Sequence, residues 1–493
     1  MLNFQKSRQA YKPPLPLLLS DLSKVHMTEE QSLKVLADVE PSFPKSSRAF
    51  LVRGRHGDAR SFQPQRVGAV FSGGQAPGGH NVIAGLFDAL KKMHPESRLF
   101  GFLDGPGGLI NGKSKEITLK ILNPYRNQGG FDLIGSGRTK IETVEQFQSV
   151  MKTVKDLKLD GLVIIGGDDS NTNAAFLAEF FLSQNCPTKV VGIPKTIDGD
   201  LQNGFVEISF GFDTATKTYA EMIGNLARDA LSSKKYTHFI KLMGRSASHV
   251  ALECALAAHP NLTLISEEQK TLAQITGEIA DLVVKRAEKG KNYGLIVIPE
   301  GVVETMSDLK ALLSMLPEKI QQQFLIEKDP HGNLNVSAID TDLLLIETVS
   351  QELKQRGFKG KFTPVRHFFG YEGRSAYPTN FDANYCYALG HVAAVLIDYG
   401  LTGYMGFVGN LAQPSEQWTI GGVPLVSLLH LEERKGKKQP VIAKALVDLN
   451  GKAYQRFKKE AVRWSLEDDY QYPGPIQFFG DPSLSDTVPK ILL

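Results

Sequence analysis

Residues 160–175 read DGLVIIGGDDSNTNAA, and how this stretch is read decides the class of the fold. Residues 162–165 are an apolar, β-branched run of strand length. The run stops at Gly166-Gly167, passes through Asp168-Asp169, and enters small polar residues that open a helix. Paired glycines let a backbone approach a ligand closely. Ser170, Asn171, Thr172 and Asn173 are residues that cap and donate at a helix start, the end that attracts anions. Two carboxylates in such a place make chemical sense if at least one holds a divalent cation beside a phosphate. A plain Gly-Asp turn between strand and helix has the same local sequence, so the stretch alone leaves both readings open.

The same pattern recurs on both sides. Upstream, residues 66–71 (RVGAVF) read as a strand. A glycine-rich loop, Ser72-Gly73-Gly74-Gln75-Ala76-Pro77-Gly78-Gly79, follows. Val82, Ile83, Leu86, Phe87 and Leu90 then recur as one helix face. Strand, glycine loop and helix together present backbone N–H groups to a phosphate. The loop lacks the Gly-Lys-Ser/Thr ending of a Walker motif and the GxGxxG spacing of a dinucleotide site. A second glycine cluster at 101–112 leads to Gly135-Ser136-Gly137-Arg138-Thr139-Lys140, where Arg138 and Lys140 are candidate anion-binding charges or ordinary surface residues. Downstream, a strand at 189–193 runs into Pro194-Lys195-Thr196-Ile197-Asp198-Gly199-Asp200. Open α/β sheets keep their ligands beyond the carboxyl ends of their strands, where this lysine and these aspartates would lie.

The alternation then restarts. Strands are expected at 237–243, 262–265 and 293–298, the first ending in Gly244-Arg245-Ser246 and the last in Pro299-Glu300-Gly301. Helices are expected at 211–226, through Cys254, at 272–289 and at 383–399. Residues 305–358, around a turn at 329–332, break the pattern as a helical insertion, and 368–377 (FFGYEGRSAY) reads as a loop. Residues 1–65 are a mixed lead-in, with one or two helices expected within 17–39 and a polar linker at 53–65. Two successive strand-helix sets predict two related lobes with a cleft between them.

Composition narrows the class. At 493 residues the chain exceeds one ordinary core, and length alone suggests roughly three units. A net charge of +3 over that length provides no electrostatic case for nucleic acid. Cys186, Cys254 and Cys386 are far apart and odd in number, which fits a reducing, cytoplasmic setting rather than a disulfide framework. No apolar run approaches the ~20 residues that span a bilayer, and LPLLL at 15–19 is too short and proline-broken for a signal peptide.

Taken in order, Ser-Gly-Gly-Gln-Ala-Pro-Gly-Gly, Gly-Gly-Asp-Asp-Ser, Pro-Lys-Thr-Ile-Asp-Gly-Asp, Met-Gly-Arg, Pro-Glu-Gly and Gly-Tyr-Glu-Gly-Arg resemble the phosphofructokinase family. The likeness is to its long, pyrophosphate-dependent type, as in the plant β-subunit. It covers roughly residues 66–430, and six motifs in order make it specific where any one would be weak. It implies an α/β fold of two Rossmann-like three-layer lobes, with an N-terminal extension (1–65) and the helical insertion (305–358). The donor lobe is expected at 66–215, completed by about 376–435. The sugar lobe is expected at 216–375, and a C-terminal segment at 436–493.

The resemblance also implies transfer of a phosphoryl group to the 1-hydroxyl of fructose 6-phosphate. By it, Asp198 is the general base, Asp168 the Mg²⁺ ligand, and Gly74 the backbone position that meets the donor phosphates. Thr196, Ile197 and Asp198 line the sugar, and Glu300 bonds its hydroxyls. Arg245, with Met243 and Gly244, reaches toward the transferred group, while Tyr371 and Arg374 hold the 6-phosphate. Lys235 and Tyr236 match a segment that serves the neighbouring subunit's site, which implies at least a homodimer. ATP-dependent relatives have glycine where this chain has Asp169 and lack a lysine at Lys195. A carboxylate at Asp169 adds bulk and repulsion against an α-phosphate. A cation at Lys195 stabilises charge on pyrophosphate. The rival readings are an ATP-dependent enzyme, a non-catalytic regulatory subunit that has lost these aspartates, and a lipid or NAD kinase.

Overall fold

The computed structural model describes residues 3–245, 247–309, 340–434, 436–475 and 488–493. Most of the insertion expected at 305–358, with its turn at 329–332, lies outside the described residues, as does Ser246. In chain order the first strands are β1 (Val25–Ser32), β2 (Phe50–His56), β3 (Arg66–Ser72), β4 (Arg98–Phe102), β5 (Ser114–Ile117), β6 (Gly161–Gly166) and β7 (Lys189–Pro194). Next come β8 (Thr237–Leu242), β9 (Leu262–Thr263), β10 (Gly294–Pro299) and β11 (Pro364–Phe369). Last are β12 (Tyr404–Gly409), β13 (Thr419–Pro424), β14 (Leu429–Arg434) and β15 (Lys437–Ile442). They form a nine-stranded sheet in the order β1-β2-β13-β12-β7-β6-β3-β4-β5, a four-stranded sheet in the order β11-β8-β10-β9, and the β14–β15 hairpin.

The middle of the large sheet, β12-β7-β6-β3-β4, is parallel, and so is the whole small sheet. Parallel strands are covered by helices on both faces, which is why β6 and β10 read as unbroken apolar runs and are buried along their whole length. The covering helices are α1 (Gly79–Met93), α2 (Val144–Asp156), α3 (Asp168–Ser183), α4 (Phe212–Ser233), α5 (His249–Ala258), α6 (Leu272–Glu288), α7 (Thr341–Gln355), α8 (Tyr371–Arg374), α9 (Asn380–Asp398) and α10 (Lys452–Leu466). Helix α9 is buried almost all round, the mark of a helix at the centre of a core rather than at its surface. It crosses α1 so closely that a Cβ on Gly85 would lie 2.1 Å from the Tyr387 carbonyl oxygen, and one on Gly390 would lie 2.3 Å from that of Val82. None of the described helices is long and apolar enough to cross a membrane.

Several local expectations differ from the structure, among them the polar linker expected at 53–65, which begins inside β2, a strand running through His56. Within 17–39 the expected helices are only two 3₁₀ turns, Leu17–Leu19 and Leu22–Lys24, and residues 25–32 instead form edge strand β1, paired antiparallel with β2, which in turn pairs with β13. Only Val25 of β1 is buried, so its sequence carries no two-residue alternation, and the pairing comes from partners elsewhere in the chain. The loop expected at 368–377 begins inside β11, whose ladder with β8 extends through Phe369.

Candidate active site

One cleft of about 470 Å³ lies between the two sheets, and its walls are built from strand ends. The loop after β3 brings Ser72, Gly73, Gly74 and Gln75; the start of α3, after β6, brings Asp168 and Asp169. Lys195 to Asp198 follow β7, Met243 to Arg245 follow β8, and Glu300 follows β10. Tyr371 and Arg374 come from α8 after β11. All are at carboxyl ends of parallel strands, so strand direction alone gathers residues more than 300 positions apart.

The glycines around β6 and their neighbours act differently from the expected capping. Helix α3 starts at Asp168, with Gly167, which has no side chain to cap with, as its N-cap. Ser170, Asn171, Thr172 and Asn173 therefore lie inside the helix and act as staples. Ser170 Oγ donates to Ser72 Oγ at 2.7 Å. Asn171 Nδ2 donates to the carbonyls of Gly166 at 2.6 Å and Ile193 at 3.3 Å, joining the ends of β6 and β7. Gly73 has φ +89°, and a Cβ there would come 3.4 Å from Lys195 Nζ. It is the positive φ that calls for glycine there, since a Cβ would meet the lysine only at ordinary contact distance.

The electrostatics centre on Arg245. Its Nη2 lies 2.8 Å from Asp168 Oδ1 and 3.4 Å from Asp200 Oδ2, and its Nε lies 3.2 Å from Asp198 Oδ2. Burial pushes the Asp168 carboxyl up, but the charge and hydrogen bond of Arg245, helped by Lys444, outweigh it and hold the group below its ordinary value. Asp200, 1% exposed, is raised to about 6 by burial and by the neighbouring Asp198. Lys195 is lowered to about 8, chiefly by burial, with Asp198 working the other way. Glu300 is raised by burial although it accepts the Gly244 N–H at 3.2 Å. Across the cleft, Arg374 Nη2 donates to Gln75 Oε1 at 2.8 Å, and its guanidinium lies over the Tyr371 ring at 5.1 Å.

Of the site residues expected from sequence, all but Lys235 and Tyr236 line this cleft. Those two are exposed and precede β8, at its far end. Arg138, Thr139 and Lys140 do line it. They are brought in because Gly137 bridges Ser72 and accepts the Gly73 N–H at 2.9 Å, a contact that no local pattern announces. Two further residues are not among those expected: Gln75, which lies inside the glycine-loop motif and pairs with Arg374, and Lys444, which carries no sequence signal and lies 3.8 Å from Asp168 Oδ2.

The family model described as Phosphofructokinase matches residues 66–397. The chain is 45% identical to a pyrophosphate–fructose 6-phosphate 1-phosphotransferase of Porphyromonas gingivalis, across 98% of this chain and 96% of that one. It is 48% identical to the beta subunit of the enzyme of that name from Solanum tuberosum, across 97% and 91%. A solved structure of a pyrophosphate-dependent phosphofructokinase from Nitrosospira multiformis shares the fold, with a TM-score of 0.60 at 18% identity over 86% of this chain and 96% of that one. On the match across the two-lobed cleft and the near full-length identity, the chain belongs to the phosphofructokinase family.

Proposed function

We propose that this protein transfers a phosphoryl group from pyrophosphate to the 1-hydroxyl of fructose 6-phosphate, releasing orthophosphate, in a reversible reaction. The observation that carries the proposal is the convergence of Asp168, Asp169, Lys195 and Asp198 on one cleft wall, facing Arg245, Glu300 and Arg374. That set serves a donor made only of phosphates and an acceptor that is a sugar phosphate. A regulatory subunit stripped of its carboxylates would not present it.

In this reading Asp198 takes the hydroxyl proton as the oxygen attacks phosphorus, and the bridging P–O bond of pyrophosphate breaks toward orthophosphate. A positioned base contributes about 10²–10⁴-fold. Lys195, cationic at neutral pH and buried, meets the charge that builds on the leaving group where low polarity strengthens the attraction. Arg374 and Tyr371 take the 6-phosphate, the planar guanidinium suiting phosphate oxygens. Thr196, Ile197 and Glu300 border the sugar, and Gly74 offers backbone N–H groups to the donor. Asp169 opposes an α-phosphate by charge and bulk.

The residues present fit a magnesium ion. Asp168 Oδ2 and Asp200 Oδ1 are buried oxygens without a hydrogen-bond partner. Among the described residues no set of three or more carboxylate, His or Cys side chains is grouped to hold a metal alone. One or two carboxylates completed by substrate oxygens is the usual arrangement for Mg²⁺. Asp168 is the residue that would hold it, and the ion would neutralise donor charge during transfer. The three free, buried cysteines support a reducing compartment such as the cytoplasm.

The deciding assay offers fructose 6-phosphate and Mg²⁺ with pyrophosphate or with ATP in separate reactions. Fructose 1,6-bisphosphate formed with pyrophosphate alone is expected. Turnover with ATP alone would overturn the donor assignment, and no turnover with either would overturn the catalytic reading.

A further inference from the structure

The hairpin β14–β15 leads into a strap, residues 442–447, that touches both lobes. The Ile442 N–H donates to Thr172 Oγ1 of α3 at 3.0 Å. The Ala445 N–H donates to the Asp200 carbonyl at 2.7 Å. On the other side His249 Nε2, on α5, lies 3.2 Å from the Ala445 carbonyl oxygen. The Val447 N–H donates to Glu267 Oε1 at 2.9 Å, and the same oxygen accepts the Ser248 N–H at 3.1 Å. Between these anchors sits Lys444, with Nζ 3.8 Å from Asp168 Oδ2.

The two oxygens of Asp168 thus meet different cations. Oδ1 is hydrogen-bonded to Arg245 from the loop after β8. Among the described residues Oδ2 is buried without a hydrogen-bond partner, and Lys444 Nζ is the cation at ion-pair range of it. Lys444 is half-buried, with 30% of its side chain exposed. Hydrogen bonds at Ile442 and Ala445 hold the backbone on either side of it and so keep the lysine beside the carboxylate. A carboxylate that must orient a donor needs its rotamer held by neighbours, and such outer partners govern affinity at the group they support.

We propose that Lys444 is a positioning residue of the donor site. The C-terminal strap delivers it to fix the second oxygen of Asp168 and to balance the carboxylates against an incoming polyanion. The role rests on the pyrophosphate reading above. It predicts that the consequences of losing Lys444 fall on the donor side only.

The test compares the full-length wild type with Lys444→Met, which keeps the alkyl stem without the charge, and with Lys444→Arg. Lys444→Gln is the second neutral variant should the Met form fold poorly. Steady-state kinetics measure KM for magnesium pyrophosphate and for fructose 6-phosphate separately. Calorimetric titration of Mg²⁺ with imidodiphosphate, a non-transferable pyrophosphate analogue, reads donor binding without turnover. In the neutral variants a roughly tenfold weakening of analogue binding and of pyrophosphate KM is expected, the lower end of the range for outer partners of a metal-binding group. KM for fructose 6-phosphate stays unchanged, and Arg restores most of the loss. Unchanged donor binding, equal losses for both substrates, or no rescue by Arg each overturn the proposal. Failure of the wild type itself to bind the analogue or use pyrophosphate would instead overturn the donor reading.

Discussion

Lys195 is a buried ammonium whose charge is held only partly by Asp198, and that balance yields a testable pH dependence. Its value of about 8 lies below that of an ordinary lysine because burial disfavours the cation. The cation is the form that meets leaving-group charge, so it is present below pH 8 and lost as pH rises through 8. In the pyrophosphate reaction kcat is expected to fall along a basic limb near that value, and Lys195→Arg should move the limb upward. Lys195→Met should lower kcat by about 10²–10³-fold, the scale of losing one aimed donor to developing charge, with fructose 6-phosphate binding unchanged in an equilibrium titration. A pH profile flat from 7 to 9 would remove Lys195 from that role. Asp169→Gly tests the donor from the other side. Removing a carboxylate at the mouth of α3 should cut pyrophosphate turnover by about 10²-fold and admit measurable ATP turnover, since specificity here is repulsion relieved. No gain with ATP would mean that other residues exclude the nucleotide.

At the scale of elements, the site depends on helices that never touch substrate. Helix α9 anchors the start of α4: Asp382 accepts the Gly211 N–H at 3.0 Å and the Thr214 N–H at 2.8 Å. It also sits against α1, the helix that follows the glycine loop. That crossing is set by two glycines facing backbone, so added atoms have nowhere to go. Gly390→Ala would place a Cβ 2.3 Å from the Val82 carbonyl oxygen and 2.5 Å from the Leu86 nitrogen. Separating two packed helices in this way should cost about 1–3 kcal/mol, read as a lower urea midpoint at constant m-value. A variant with the wild-type midpoint would show that the crossing is looser than this. The strap 442–447 is a second such device: Ile442 and Val447 are buried at its ends, and its backbone groups are hydrogen-bonded to both lobes.

For the whole molecule the unsolved half of the site is Lys235 and Tyr236. They precede β8, whereas Met243 to Arg245 follow it. Six strand residues span roughly 20 Å, so one chain does not bring both ends of β8 to one cleft. We propose that, as the resemblance implies, they serve the site of a second copy, in an assembly of at least two chains. The prediction is complementation. Asp198→Asn and Lys235→Ala are each expected to be nearly inactive alone. Dissociated and reassociated together as random dimers they should regain about a quarter of wild-type sites, since each mixed two-fold pair holds one intact site. No recovery from a verified mixed dimer would place Lys235 outside the active site.

Much of this is legible in the sequence alone. Local chemistry determined the β3 loop, the β6–α3 junction and the β7 motif, because strand, glycine turn and helix start each leave a mark within ten residues. The six motifs in order carried the family and, through Asp169 and Lys195, the donor. Edge strand β1 was not legible, since a mostly exposed strand has no alternation of its own and is made by its pairing with β2. The same holds for the placement of Arg138 and Lys140, decided by Gly137 bridging to Ser72, and for Lys444, which lies 276 positions from Asp168 and meets it only because the strap crosses between lobes. Charges that meet by long-range folding leave no trace in the spacing of residues. The chemistry of each motif was written locally, but which distant cations balance its carboxylates was decided by the tertiary structure alone.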